Sequence, residues 1–179
     1  MDARVQRMLD HFEIRELIEA YVHACDRCDL EGTKDCYWED SYDHHGPIAG
    51  SGWQFATDCI ASLDQYWTSC THHLGQSRIK VDGDSAGVET YYFASLTRDQ
   101  DGAEMLDLQV GRYVDVIERR DGVWRIKDRR CIQEWAITIP NTGSFVDRAS
   151  FLPGLRGEED ISFRVLGLKM GNARIDRPD

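Results

Sequence analysis

One aspartate and one histidine in this sequence are of the types that a proton-abstracting site needs. Asp26 stands near the carboxyl end of a predicted helix, where a carboxylate opposes the helix dipole, so helix stability does not explain its position. His73 opens the first long predicted strand, and the ordinary pKa of histidine lies near neutrality. An aspartate that fixes the tautomer of a histidine makes a general base without a cofactor. Spacing alone permits this pair but does not require it.

Two predicted strands carry polar and aromatic side chains on one face, because side chains alternate at period two. These side chains are Gln109, Gly111, Tyr113 and Asp115 in one strand, and Arg129, Cys131, Gln133 and Trp135 in the next. We predict that Gln109, Tyr113, Gln133 and Trp135 line a substrate pocket, together with Trp38. A glycine inside a strand leaves room for a close approach or marks a bulge. The alternative is an ordinary solvent-facing side of the sheet.

The chain contains two His-His pairs, His44-His45 and His72-His73. Neighbouring side chains on a strand point to opposite faces, so at most one of each pair can face a pocket. We predict His45 as a pocket residue that contacts the substrate, and a metal site in Asp43-His44-His45 is the weaker alternative. Cys25-Asp-Arg-Cys28 lies inside a helix without a second cysteine pair, which favours core thiols over zinc. No phosphate-binding or cofactor motif is present, so we expect neither metal nor cofactor.

Helices come first and strands follow along the chain. Apolar side chains at three-and-four spacing predict a long helix over residues 8–28, a short helix over 33–38 and a third beginning at Ser51 or Gly52. Alternating, β-branched segments separated by Asp-Gly turns predict strands over 74–81, 88–96, 105–117 and 123–139. This order predicts an α+β fold, a curved antiparallel sheet with helices on one face.

Length and charge limit the possible partners. The 179 residues suit a single core, which we assign to residues 1–140, with residues 141–179 packing on the pocket or on a neighbouring subunit. Lys and Arg number 21 against 32 Asp and Glu, a net charge of −11 that disfavours nucleic acid and anionic membranes. The charged N-terminus does not resemble a signal peptide, so we expect a cytoplasmic protein whose six cysteines are reduced.

Read together, three motifs resemble the SnoaL-like branch of the NTF2-like superfamily. They are Tyr21-x4-Asp26, His73-Leu-Gly-Gln, and Glu118-Arg-Arg-Asp-Gly-Val-Trp-Arg-Ile leading to Arg129. Functional relatives that the sequence resembles are hexachlorocyclohexane dehydrochlorinase, bile acid 7α-dehydratase and scytalone dehydratase. The resemblance implies a cone-shaped α+β barrel whose N-terminal helices cover the concave face around a deep apolar pocket. It further implies that His73 is the base, Asp26 its orienting acid, Arg129 the group that stabilises the leaving anion, and Tyr21 a leaving-group donor.

The implied function is a cofactor-independent lyase acting on a small hydrophobic aromatic or alicyclic molecule. Dehydration, dehydrohalogenation and loss of formaldehyde are all eliminations that such a base can serve. An isomerase or polyketide-cyclase-like enzyme with the same base is the first alternative. A non-catalytic ligand-binding module or oxygenase β-type subunit is the second, since one fold hosts many functions. The resemblance also implies a homo-oligomer, either a dimer or a trimer.

Overall fold

The computed structural model describes residues 2–143 and 146–172, and it has the α+β fold expected. The helices are α1 (Ala3–Asp26), α2 (Leu30–Asp35), α3 (Gly52–Tyr66) and α4 (Ile161–Leu166), and short 3-10 turns cover Arg148–Ser150 and Gly157–Glu159. The strands are β1 (Tyr37–His45), β2 (Ile48–Gly50), β3 (Ser69–Asp82), β4 (Ser85–Gln100), β5 (Ala103–Arg120) and β6 (Val123–Pro140). Within the described residues, no helix is long and apolar enough to cross a membrane.

The six strands form one open, curved sheet in the order β2-β1-β6-β5-β4-β3. Strands β3 to β6 make the predicted antiparallel meander. Two of its turns are Asp-Gly pairs with positive φ at both residues, Asp101-Gly102 and Asp121-Gly122, as a type I′ turn requires. The sequence did not predict β1 and β2. Strand β1 pairs with β6 in parallel, so the sheet is mixed. Strands β2 and β3 are the two edges of the sheet, which does not close into a barrel.

The two long helices pack their apolar stripes against the sheet and bury the core with it. Helix α1 buries Ile14, Leu17, Ile18, Tyr21 and Cys25, the spacing that the sequence predicted. Helix α3 begins after Ser51, whose hydroxyl accepts a hydrogen bond from the Gln54 N–H, as predicted for its start. The second helix begins and ends three residues earlier than predicted, because the chain enters β1 at Tyr37.

A β-bulge in β6 changes which side chains face the helices. Gly111 pairs with Gln133 and Val110 pairs with Trp135, so Glu134 is the extra residue. Beyond this bulge the alternation of β6 is shifted by one residue. Trp135 therefore shares the outer face with Val110 and is 48% exposed, whereas strict alternation predicted that it faces inward.

The C-terminal segment lies against the ends of α1 and α3. The Arg27 guanidinium donates to the Leu155 carbonyl at 2.8 Å and to the Asp160 carboxylate at 3.0 Å. Arg156 donates to backbone carbonyls at the end of α3 and to the Asp64 carboxylate. Residues 144–145 and 173–179 of the predicted 141–179 segment lie outside the described residues. The division of the chain at residue 140 stays a prediction.

Candidate active site

A cavity of about 410 Å³ lies between the concave face of the sheet and helices α1 and α3. This volume suits a drug-sized organic molecule. Aliphatic and aromatic side chains make up most of the wall. Imidazole, amide and hydroxyl groups come from His45, His72, Gln109, Gln133 and Ser62, and thiols come from Cys25, Cys59, Cys70 and Cys131.

Asp26 and His72 form a hydrogen-bonded pair at one wall of this cavity. One oxygen of the Asp26 carboxylate lies 2.7 Å from His72 Nδ1, and the other accepts the His72 backbone N–H at 2.9 Å. The side chains are only 9% and 14% exposed, respectively. A carboxylate on Nδ1 fixes the ring with its proton on that nitrogen and leaves Nε2 to accept a proton from a bound molecule. The two contacts also explain a carboxylate at the end of α1.

The predicted partner of Asp26 was the wrong member of the His72-His73 pair. His73 is exposed and lies opposite Phe93 on the outer face of the sheet, with their rings 6.3 Å apart. Strand β3 begins at Ser69 and places His72 inward between buried Cys70 and half-buried Leu74. The expectation that at most one member of each His-His pair faces the pocket is confirmed, because His45 and His72 line the cavity while His44 and His73 are exposed.

The Cys70 thiol lies beside the pair, 3.7 Å from His72 Nδ1. Ligand atoms of Asp26, Cys70 and His72 all lie within 4.8 Å of one another, a separation that could hold a metal ion. Burial, followed by the nearby Asp26 carboxylate, raises the pKa of Cys70, so this sulfur is a neutral thiol. The direct bond between Asp26 and His72 accounts for the other two groups without a metal.

A second histidine-aspartate pair lies across the cavity on β1. Asp43 is fully buried, accepts the Tyr37 hydroxyl at 2.6 Å and lies 3.1 Å from His45 Nδ1. The His45 ring stacks on Phe55 with centroids 4.6 Å apart. Burial lowers the pKa of His45, but hydrogen bonds to Asp43 and Cys131 outweigh it and raise the pKa to about 9. His45 therefore carries a positive charge at neutral pH.

Arg129 does not line the cavity, contrary to the role that the resemblance implied. Its guanidinium is fully buried and makes two hydrogen bonds to Asp115, at 2.8 and 2.7 Å. It lies 4.2 Å from the ring centres of both Tyr21 and Tyr113, which separate it from the cavity. Asp115 is its cross-strand neighbour, so sheet pairing places a carboxylate against the guanidinium. The positive charge of Arg129, which was expected to stabilise a leaving anion, is therefore neutralised by Asp115. One of its nitrogens, Nη1, has no hydrogen-bond partner within the described residues.

Three tyrosines form the floor of the cavity. Tyr92 and Tyr113 stack with centroids 4.5 Å apart, and Tyr21 meets Tyr113 edge-on at 5.8 Å. Burial raises the pKa of Tyr21 well above its ordinary value, so its hydroxyl keeps its proton. A Cβ on Gly111 would lie 2.7 Å from the Tyr92 hydroxyl and 2.1 Å from the Ile132 carbonyl oxygen. The absence of a side chain at Gly111 therefore makes room for Tyr92.

Of the other predicted pocket residues, Gln109, Tyr113, Gln133 and His45 line the cavity. Two tryptophans do not. Trp135 lies on the outer face for the reason given above, and Trp38 packs between the Arg120 and Arg125 guanidinium groups while its indole N–H donates to the Glu118 carbonyl. Trp38 follows inward-facing Tyr37 on β1, so alternation turns it away from the cavity.

Several cavity residues were missing from the predicted site. Besides His72, these include Cys70, Tyr92 and Cys131, and Asp43 lies behind His45 as its hydrogen-bond partner. Cys131 belongs to the predicted inward face of β6, and Asp43 lies two residues before His45, so the period-two pattern was a usable signal for both. Together these side chains supply a base, proton donors and an apolar wall, which suits proton transfer on a small organic molecule.

A family model described as a SnoaL-like domain matches residues 6–130, about two thirds of the chain. No match was found among curated protein sequences. The matched range contains most of α1, all elements from α2 to β5 and the first part of β6, and it includes the cavity-lining residues other than Cys131 and Gln133.

Solved structures with a similar fold include hexachlorocyclohexane dehydrochlorinase LinA-type3 from Novosphingobium barchaimii LL02. It is 18% identical with a TM-score of 0.68, over 84% of this chain and 99% of that chain. A scytalone-dehydratase-like protein from Novosphingobium aromaticivorans DSM 12444 is 16% identical with a TM-score of 0.65, over 82% and 97%. The beta subunit of an aromatic-ring-hydroxylating-dioxygenase-like protein from the same organism is 22% identical with a TM-score of 0.58, over 72% and 92%. At these identities the likeness concerns the fold.

Proposed function

The chain belongs to the SnoaL-like family, and from this premise we propose that it is a cofactor-independent lyase in which His72 is the general base. The observation that carries the proposal is the 2.7 Å bond between His72 Nδ1 and Asp26 at the wall of a mostly apolar cavity. His72 thus replaces His73 in the role implied by resemblance. Asp26 acts through His72 and is a positioning residue.

The proposed step is removal of a proton from a carbon or phenol of the substrate by His72 Nε2. The electron pair left behind forms a new double bond as a leaving group departs. Tyr21 keeps its proton and lies in the cavity wall, so we assign it the donor role for that group. Gln109, Gln133 and positively charged His45 supply polar contacts, and Tyr113 supplies an aromatic wall. Water or a hydrogen halide could leave in this way. For loss of formaldehyde, His72 would instead take the proton of a primary alcohol; the oxygen electrons form the C=O bond of formaldehyde, and the electrons of the broken carbon–carbon bond form the new double bond and expel water.

The substrate class follows from the cavity. Its size and the stacked Tyr92 and Tyr113 rings suit a small aromatic or alicyclic molecule. The resemblance to dehydrochlorinase and scytalone dehydratase structures supports an elimination, although the same base could serve an isomerase. The mass of the product separates these reactions, because elimination lowers it and isomerisation does not.

The test incubates the protein with hydroxylated steroids, chlorinated alicyclic compounds and lignin-like phenylpropanoids and measures product masses. We expect loss of water, hydrogen chloride or formaldehyde with the wild type and with His73→Ala, but not with His72→Ala. His73→Ala is the matched control, since it changes the exposed neighbour of the same strand. A product of unchanged mass would favour an isomerase. Binding without turnover by any of the proteins would favour a non-catalytic module.

We also propose that the protein is a homo-oligomer that uses the outer face of the sheet. On both sides of the bulge this face exposes apolar side chains, namely Val114, Val116, Ile132, Trp135, Ile137 and Ile139. A sheet face that exposes many apolar side chains is typical of a protein interface. Light scattering should give the mass of a dimer or trimer for the wild type and a smaller mass for Trp135→Glu. A monomeric wild type would contradict this proposal.

A further inference from the structure

Cys131 lies in the cavity wall between two side chains that can act on its sulfur. The Tyr92 hydroxyl is 3.3 Å from the Cys131 sulfur. His45 and Cys131 both line the cavity, and the register of the sheet makes them neighbours. Asp43 and His44 on β1 lie beside Arg129 and Arg130 on parallel β6, so His45 lies beside Cys131. The imidazole therefore connects the thiol with the Asp43 carboxylate.

The surroundings of His45 keep its ring charged and hold it in place beside Cys131. The other His45 nitrogen, Nδ1, contacts fully buried Asp43, which holds the ring in a fixed orientation. The charged and titratable groups around the ring are Asp43, Asp115, Arg129, Cys131, Tyr37 and Tyr113. Asp115 and Arg129 neutralise each other through two hydrogen bonds, which leaves Asp43 as the unbalanced charge. An imidazolium beside a sulfur stabilises the thiolate, which is the nucleophilic form of cysteine.

We propose that Cys131, His45 and Asp43 form a nucleophilic triad that adds to α,β-unsaturated carbonyl compounds bound in the cavity. The thiol gives its proton to solvent, and the thiolate, paired with the His45 imidazolium, attacks the β-carbon to form a carbon–sulfur bond. The π electrons of the double bond move to the carbonyl as an enolate, the His45 imidazolium gives its proton to the α-carbon, and solvent returns a proton to His45. The net reaction adds S–H across the double bond, so it needs no oxidant, reductant or further reactant.

The other cysteines of the cavity lack this arrangement. Cys25 and Cys70 are buried, and the pKa of each is raised, Cys25 first by its hydrogen bond to Cys59 and Cys70 first by burial. Cys59 is half-buried in the same wall, and its contact is with Cys25. Cys59 is therefore a natural internal control for Cys131, because it shares the cavity and the degree of exposure but has no imidazole partner within the described residues.

The chemical class of ligand follows from the triad and the cavity together. Tyr92 stays protonated, because burial and then Cys131 raise its pKa, so its hydroxyl can donate to the thiolate. The stacked tyrosine floor favours a flat, conjugated molecule over a saturated one. This site does not depend on the proposed elimination, since neither His72 nor Asp26 takes part in it.

The experiment measures the rate of reaction of each cysteine with N-ethylmaleimide, a small α,β-unsaturated carbonyl compound, by peptide mass spectrometry at about pH 7. In the wild type we expect Cys131 to gain the mass of the whole reagent at least about tenfold faster than Cys59. His45→Gln should slow Cys131 by about tenfold or more and leave Cys59 unchanged. His72→Ala should alter neither rate, which separates this site from the proposed base.

Two results would overturn the proposal. The first is equal reaction rates of Cys131 and Cys59 in the wild type, and the second is an unchanged Cys131 rate in a folded His45→Gln protein. A thermal melt establishes that the variant is folded. If it is not, the comparison of Cys131 with Cys59 in the wild type decides the question, because it needs no substitution.

Discussion

The two histidine-aspartate pairs of the cavity differ in how each aspartate is used. Asp26 directs both oxygens to one residue, the ring and backbone N–H of His72. Asp43 is shared between His45 and the Tyr37 hydroxyl, and it is fully buried. A fully buried carboxylate holds a proton on its histidine, whereas His72 keeps one nitrogen available. Two pairs with the same residue types therefore suit different tasks, proton acceptance at His72 and positive charge at His45.

The largest expected effect separates His72 from its neighbour. His72→Ala should lower kcat of the elimination by about 10²- to 10⁴-fold, the usual contribution of a general base. His73→Ala should leave kcat unchanged, because this side chain lies on the outer face. Steady-state kinetics with any substrate found in the mass assay provides the measurement. Equal losses of kcat in His72→Ala and His73→Ala would contradict the assignment of His72 as the base.

A smaller effect compares the two aspartates. Asp26→Asn keeps the shape but cannot accept from both donors of His72, so we expect kcat to fall about 10- to 100-fold with little change in KM. Asp43→Asn leaves Tyr37 and His45 without their shared carboxylate in the core, so we expect a loss of about 1–3 kcal/mol in unfolding free energy. Kinetics and urea denaturation of both variants measure these changes. A larger loss of unfolding free energy in Asp26→Asn than in Asp43→Asn would contradict the assignment of the structural role to Asp43.

The pH dependence of stability should report on His45. The folded pKa of about 9 lies above the ordinary value of 6.5, so the contribution of His45 is complete below about pH 6.5 and is lost as pH rises through 9. The difference of 2.5 between these values corresponds to at most about 3 kcal/mol. Urea denaturation of wild type and His45→Gln across this range isolates the effect. A wild-type stability that rises relative to the variant would contradict it.

The smallest expected effect concerns Asp26, Cys70 and His72, the group whose spacing could hold a metal ion. A chelator should leave the elimination unchanged, because Asp26 and His72 bond each other directly and Cys70 is a neutral thiol. Cys70→Ala should behave in the same way, with a modest loss of stability from the missing buried sulfur. Activity assays with and without a chelator provide the check. Loss of activity that added zinc restores would show a metal site in place of the proposed dyad.

The sequence predicted the elements well where a regular pattern ran through them. The apolar spacing of α1 and the alternation and Asp-Gly turns of β3 to β6 gave the layout of the fold. Strand β1 was missed because its segment, Tyr37–His45, is acidic and polar and its parallel partner β6 lies far away in the sequence. Only tertiary pairing makes this segment a strand.

The site was less predictable, because it depends on which face of a strand each side chain takes and on which residues face each other across neighbouring strands. Shifting a strand by one residue exchanges its two faces, which is why His73 was selected in place of His72. The bulge at Glu134 had the same effect on Trp135. Arg129 was misplaced for another reason, since its charge is neutralised by Asp115, and the cross-strand register that joins them becomes visible only in the folded sheet.

The most direct test of the central claim, that Asp26 holds His72 as the base, is a proton–nitrogen correlation spectrum of the histidine rings. We predict that His72, like His45, has an Nδ1 proton that is hydrogen-bonded and protected from exchange, and that the His72 signal disappears in His72→Gln and shifts in Asp26→Asn. The same signal should persist in His73→Gln. Its disappearance in His73→Gln, or its survival in His72→Gln, would contradict the account.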